Sequence, residues 1–414
     1  MASPVSAAVV PVSTSAQLIA AVNAAQPGDV ITLAAGTYDL AQNLLCDNAG
    51  TPAAPIVVRA EVLGTVFLRF NAVEGFKISV PHWRFENLDI QGVCASHSSC
   101  EHAFHIVGGA DFTHIRRCRL HDYNAAIKSN GEGNPFVFPD EVVIEQNEIW
   151  NSTIRNTSNP TTPIDVVGGR RWIVRSNFIH DHAKGQGDTI SYAAFLKGNS
   201  RDGLFERNLV VCELLHTGGI RLGLSFGGGG TGPDSICEDG TCTPEHQNGV
   251  MRNNIIRNCP EDVGIYLNEA ANVGIHHNLL FETTGIDVRF VASTADLRNN
   301  VLAGQIRNRD GGTSTEAGNL ENLTSVQFEA WFADPGNGDF SLADGSALVD
   351  LGATGAAVPD DFCARPRQDG APDIGPLEEG SSGPCNTTAA GGGADLFHDG
   401  FESGGLGGWG LVFP

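Results

Sequence analysis

The fold class this chain predicts is all-β, a right-handed parallel β-helix, and three observations carry the expectation. A short apolar strand with Asn at one fixed place recurs through the middle of the sequence. The distance between those Asn residues changes by insertion, while the strand itself is kept. An amphipathic helix stands ahead of the first copies, where an open solenoid end needs a cover.

The N-terminal elements come first. Over Ser15 to Ala25, residues Leu18, Ile19, Val22 and Ala25 share one helical face, and Pro27-Gly28-Asp29 stops the helix. Val30 to Leu33 then reads as the first strand, turned by Gly36-Thr37-Tyr38. The repeats follow, with Asn147, Asn177, Asn208, Asn254, Asn278 and Asn300 in corresponding places and Leu88 and Cys118 in the same place in two earlier copies. Their steps are 30, 29, 30, 31, 46, 24 and 22 residues, one coil of about 22 residues or more plus loops of varying length. Asn recurring in successive coils can stack its amides into a ladder and satisfy polar groups at a bend that would otherwise be buried unpaired. These Asn residues are therefore expected to point inward in register. The domain reading is an N-terminal arm over 1–12, the β-helix over 13–378, and a Gly-rich linker and tail over 379–414.

Composition narrows the function classes. The chain has 414 residues, with 25 Lys and Arg against 48 Asp and Glu and a net charge of -23. Its overall field repels nucleic acid, so any polyanion must be met by a local basic cleft or by a cation. No stretch approaches the 18 apolar residues of a membrane span, and Met1-Ala2-Ser3-Pro4 lacks a signal-peptide pattern. Ten cysteines occur without a CxxC pair, which favours disulfides over zinc and hence a secreted or periplasmic setting. Cys94–Cys100, Cys237–Cys242 and Cys363–Cys385 are expected as local closures, and Cys212–Cys259 as a link between successive repeats. Cys46 and Cys118 remain, to pair or to stay as buried thiols.

The capping helix with its Pro27-Gly28-Asp29 stop, the Asn-bearing coils, and the closing Arg365-Pro366-Arg367 to Asp373-Ile374-Gly375 segment together resemble bacterial β-helix polysaccharide lyases, the family of chondroitinase B and β-helix alginate lyases. The resemblance spans about residues 13 to 378. Asp399 to Gly404 also resembles terminal segments of secreted proteins of some Gram-negative bacteria. The family implies β-elimination on an acidic polysaccharide, with a Lys as base, an Arg beside it, and commonly calcium, and the chain is expected to be a monomer.

Phe195-Leu196-Lys197-Gly198 resembles the base-bearing strand, and the segment holding Arg221 between Gly218-Gly219 and Gly223 resembles the Arg-bearing one. Lys197 and Arg221 are 24 residues apart, which in a coil of that length would place them on neighbouring strands about 5 Å apart. A Lys next to a permanent cation has its charged form disfavoured, as a base requires, while Arg binds a carboxylate or the enolate-like charge. His216 and Tyr192 complete the catalytic candidates, as acid, base or proton relay, and Lys128, Tyr266, Asn268 and Arg289 are the candidate sugar contacts. For calcium the sequence departs from the family, because only the scattered Asp165 and Asp188 are at hand, a thin set for a hard cation. Neutralisation of the substrate carboxylate by Arg221, Lys128 or His216 is the competing route. Two rival functions are a β-helix glycoside hydrolase using two of Asp165, Asp188 and Asp287, and a non-catalytic carbohydrate-binding surface protein.

Overall fold

The computed structural model describes residues 8–355, 358–367 and 371–379. Three parallel sheets of 12, 10 and 10 strands run the length of the molecule, and each coil passes through them in turn. Sheet A contains Val143–Glu145 and Ile173–Arg175, sheet B contains Glu148–Trp150 and Phe178–His180, and sheet C contains Ile164–Val167 and Ile190–Lys197. This is the right-handed parallel β-helix that the repeat pattern predicts.

The corner between sheets A and B is a two-residue bend. Its first residue is left-handed, at φ 57° for Gln146, 53° for Ser176, 54° for Arg207 and 53° for Asn253. A non-glycine residue there is disfavoured by about 1–2 kcal/mol, and the Asn that follows offsets it. The Asn177 side chain donates to the Ile144 carbonyl at 2.9 Å and to the Asn208 Oδ1 at 3.1 Å, while its backbone N–H reaches the same oxygen. The pattern runs unbroken from Asn147 to Asn300, and all six side chains are buried. At one end the Cys118 N–H donates to the Asn147 Oδ1, and at the other the ladder continues onto Asn319, a member the repeat pattern did not disclose.

Inward positions of all three sheets form one apolar core, including Phe70, Phe76, Phe85 and Phe104, whose rings pack at centroid distances of 4.8 to 5.7 Å. The helix Ser15–Ala24 is capped by the Thr14 hydroxyl and buries Leu18 and Val22 over the first coil. Val9–Val12 precedes it and pairs in parallel with Val30–Leu33, so part of the expected arm is the first rung of the solenoid. A second apolar cluster lies outside sheet B. There Phe328, Phe332, Phe340, Leu348 and Phe362 cover Leu209, Leu279 and Val301.

Disulfides Cys94–Cys100, Cys237–Cys242 and Cys212–Cys259 are formed, and Cys46 and Cys118 are buried thiols. Cys385, the expected partner of Cys363, lies outside the described residues, as does the 380–414 tail. Among the described residues no helix is long and apolar enough to cross a membrane.

Candidate active site

The chain contains only four lysines, Lys77, Lys128, Lys184 and Lys197, and three of them stand on sheet C. Strand side chains alternate, so with Ile78, Ile127 and Leu196 in the core, Lys77, Lys128 and Lys197 face outward. Lys77, His105, Lys128 and Asp165 occupy one row across four successive strands. Loops from the B–C and C–A corners flank this face, and the longest, 227–248, rises at the end of the strand Ile220–Phe226.

Charge pairing separates the four. Lys77 meets Glu132 at 2.6 Å, Lys128 meets Asp165 at 2.7 Å, and Lys184 is paired with Asp188. Lys197 has no carboxylate partner among the described residues, and its Nζ donates instead to the Gly230 carbonyl at 2.9 Å. Burial pushes its pKa below the ordinary lysine value, with the Lys128 charge acting in the same direction and Asp165 and Glu245 opposing. An amine so placed releases its proton more readily than an exposed one, which is the property a general base requires.

Aromatic groups crowd the same end. The Lys197 ammonium lies 4.7 Å from the centre of the Phe195 ring, Tyr192 packs edge-on against Phe195 at 5.5 Å, and Tyr266 lies 6.4 Å from Tyr192. Arg289 donates to the Tyr266 hydroxyl at 3.3 Å, and the Asn268 amide donates to the Gly228 carbonyl at 2.8 Å. Burial raises the pKa of both tyrosines and keeps them as neutral proton donors. The 227–230 segment is glycine for a steric reason, since a side chain at Gly227, where φ is 99°, would run into the Asn268 carbonyl at 1.8 Å. A methyl at Gly228 would lie 3.4 Å from the Lys197 Cδ, and one at Gly229 3.8 Å from the Tyr192 hydroxyl. Lys197 and Tyr192 therefore approach the same turn.

The expected meeting of Lys197 and Arg221 does not occur. Arg221 aligns with Ser191, and Lys197 lies six residues further along that strand, an offset of about 20 Å. The spacing misled because a full coil here is the 30 residues from Phe195 to Ser225. Arg221 is 1% exposed. It donates to the Gly218 carbonyl at 2.9 Å, to the Cys212 carbonyl and to the His216 Nδ1 at 3.0 Å, and lies 3.8 Å from Asp181. The other His216 ring nitrogen contacts the Asn151 carbonyl at 3.1 Å. Both residues knit the B–C loop beside the Cys212–Cys259 bridge.

Asp165 and Asp188 do not converge either. Asp165 aligns with Phe195 inside the strand Ile190–Lys197, whereas Asp188 stands before that strand begins and is held by Lys184. Among the described residues no three His, Cys, Asp or Glu side chains are grouped to hold a metal ion, so the acids present do not fit a calcium site. The hydrolase candidates are likewise dispersed. Asp287, four rungs from Asp165 in the same row and so about 19 Å away, is bound by Arg307 and Arg309. Paired hydrolytic carboxyls stand about 5–9.5 Å apart.

Residues 12–167 match the chondroitinase B family model. That match takes in Lys77, Lys128 and Asp165 and ends before Lys197. The solved structure of pectate lyase Pel9A is similar over 91% of this chain and 97% of its own, with a TM-score of 0.59 and 13% identity, a likeness of fold. An alginate lyase from Paenibacillus sp. str. FPU-7 aligns over 76% of this chain and 95% of its own, at a TM-score of 0.41 and 14% identity. No curated protein matches the sequence. The residues that sequence reasoning missed are Lys77, His105, Phe195 and Glu245. The scarcity of lysine was the signal that could have found the first.

Proposed function

We propose that this protein is a secreted polysaccharide lyase that cleaves a uronic-acid-containing polymer by β-elimination along the outer face of sheet C. The observation that carries the reading is Lys197, the one lysine without a carboxylate partner among the described residues, half-buried on the sheet that holds two of the others. The match of residues 12–167 to chondroitinase B supports the reaction class, and the three disulfides closed among the described residues support an oxidising compartment.

In this scheme the neutral Lys197 amine removes the proton on the carbon beside the uronate carboxylate. The electron pair moves toward that carboxylate, then forms the double bond as the glycosidic carbon–oxygen bond breaks. Tyr192, kept protonated by burial, gives its proton to the leaving oxygen. Lys128, two strands before Lys197 on sheet C, and Arg289, three strands after it, are held by Asp165 and Asp310 and offer their remaining N–H donors to the polymer's carboxylates. The role first expected of Arg221 passes to them, because Arg221 is buried away from this face.

The test is incubation with alginate, glycosaminoglycan and polygalacturonate, followed by the ultraviolet absorbance of the conjugated product. New absorbance with falling polymer length supports the lyase. New reducing ends without absorbance would mean hydrolysis, and tight retention of an uncleaved polymer would mean a binding protein.

A further inference from the structure

The 227–248 insertion is fixed to the solenoid at the place where the base emerges. Glu245, near its end, is 1% exposed and carries an ionisable group that the reaction above does not use. Its Oε2 accepts the Gly198 N–H at 2.6 Å and the Thr231 hydroxyl at 2.7 Å, and its Oε1 accepts the Thr231 N–H. Gly198 follows Lys197, and Thr231 follows Gly230, whose carbonyl receives the Lys197 Nζ. One carboxylate thus ties together the two backbone segments that set where the amine sits and what it donates to. Earlier in the loop, Glu238 accepts the Gly169 N–H at 2.8 Å and pairs with Arg170, so the loop is held at a second point.

We propose that Glu245 is a positioning residue for Lys197, clamping the 227–248 loop so that the Gly230 carbonyl aims the amine and the Glu245 charge tunes its proton affinity. This rests on the reading of Lys197 as the base. An amine that gives one N–H to a fixed carbonyl has its lone pair directed away from that carbonyl. The charged groups facing Lys197 are Asp165 and Lys128 from the sheet and Glu245 from the loop. Glu245 is the one of the three that also holds the loop. Burial raises its own pKa, with the bonds from Gly198 and Thr231 and the Lys197 charge opposing.

With four lysines in the chain, reductive methylation with ¹³C-formaldehyde yields a spectrum in which each dimethyl-lysine can be titrated, and Lys197→Arg identifies the resonance of interest. Glu245→Gln keeps the size and removes the charge. The Lys197 midpoint should then fall by about half a pH unit or more, equivalent to about 0.7 kcal/mol, whereas Glu245→Asp should hold it near the wild-type value. An unchanged midpoint in folded Glu245→Gln would overturn the proposal. If that variant does not fold, the reciprocal measurement decides. In Lys197→Met the Thr231 amide resonance should report a Glu245 titration at higher pH than in wild type, and an unmoved titration would sink the coupling. Neither reading uses a substrate. Coupling without lyase activity would leave the clamp standing and remove the assigned chemistry, while activity without coupling would do the reverse.

Discussion

Lys197 lies beside Val167 on the neighbouring rung, an apolar partner at the place where Lys128, two rungs away, has a carboxylate. That difference leaves one amine of the sheet poised to lose its proton. Lys197→Ala should lower turnover by about 10²–10⁴-fold, the usual worth of a positioned general base, while the melting temperature stays near wild type. Because the neutral amine is the active form, kcat/KM should rise with pH along an acid limb whose midpoint lies below the ordinary lysine value. Near-normal turnover in Lys197→Ala would reject the assignment.

Arg221 is expected to matter for the fold and not for the chemistry. Removing the guanidinium strands the Cys212 and Gly218 carbonyls, while buried Asp181 keeps His180 at 2.6 Å, so Arg221→Ala should destabilise by on the order of 1–3 kcal/mol for each carbonyl left unpaired. Chemical denaturation checks this. A large loss of turnover without a loss of stability would return Arg221 to the catalytic machinery.

Exhaustive chelation should leave lyase activity intact, since Asp165 and Asp188 each bind a lysine and do not meet. Activity lost to chelator and restored by added calcium would show that other oxygen ligands assemble with the substrate.

The ladder makes a stability prediction. Asn208 receives two bonds from Asn177 and donates to the Val174 carbonyl and the Asn254 Oδ1. Asn208→Ala should cost on the order of 1–3 kcal/mol for each buried group left unpaired, measurable as a lower denaturation midpoint. Asn208→Leu, the residue type at position 88, would still strand the Asn177 amide and should be only partly better.

On sheet B, His121 sits between Asp89 at 3.0 Å and Asp122 at 3.1 Å. Burial alone would lower its pKa, but the two carboxylates outweigh burial and raise it to about 9. A raised histidine stabilises fully below its unfolded pKa of about 6.5 and ceases to do so as pH rises through the folded value. The protein should therefore lose stability between about pH 6.5 and 9, by at most a few kcal/mol, and His121→Gln should flatten that slope. An identical slope in the variant would contradict this.

The repeat, the capping helix, the ladder and three of the disulfides were legible in the sequence because each is written locally, in periodicity or in close cysteines. Asn319 was not, since its step of 19 residues is shorter than any other and Gly318 stands in the bend. The outer Phe cluster was not, because Phe328 and Phe340 have no periodic relation to the strands they cover. In the candidate site, Tyr192, Tyr266, Asn268, Arg289 and Lys128 gather near Lys197, whereas Arg221 and His216 do not. Register between coils of unequal length depends on where each insertion falls, and a count of 24 residues spanned less than one coil. Glu245 was hidden for a related reason, as its partner Gly198 is 47 residues away.

The longest coil has one more consequence. Asn208 and Asn254 hydrogen-bond to each other at 2.9 Å although 46 residues separate them, so the ladder does not register the size of the excursion between them. Closing a longer flexible loop costs only about 0.6 kcal/mol per doubling of length. The C–A corner after the strand Ile220–Phe226 is thus a grafting point, where a segment of different length could be exchanged while the rungs on both sides keep their pairing. A scaffold of this kind can change what it grips without being refolded.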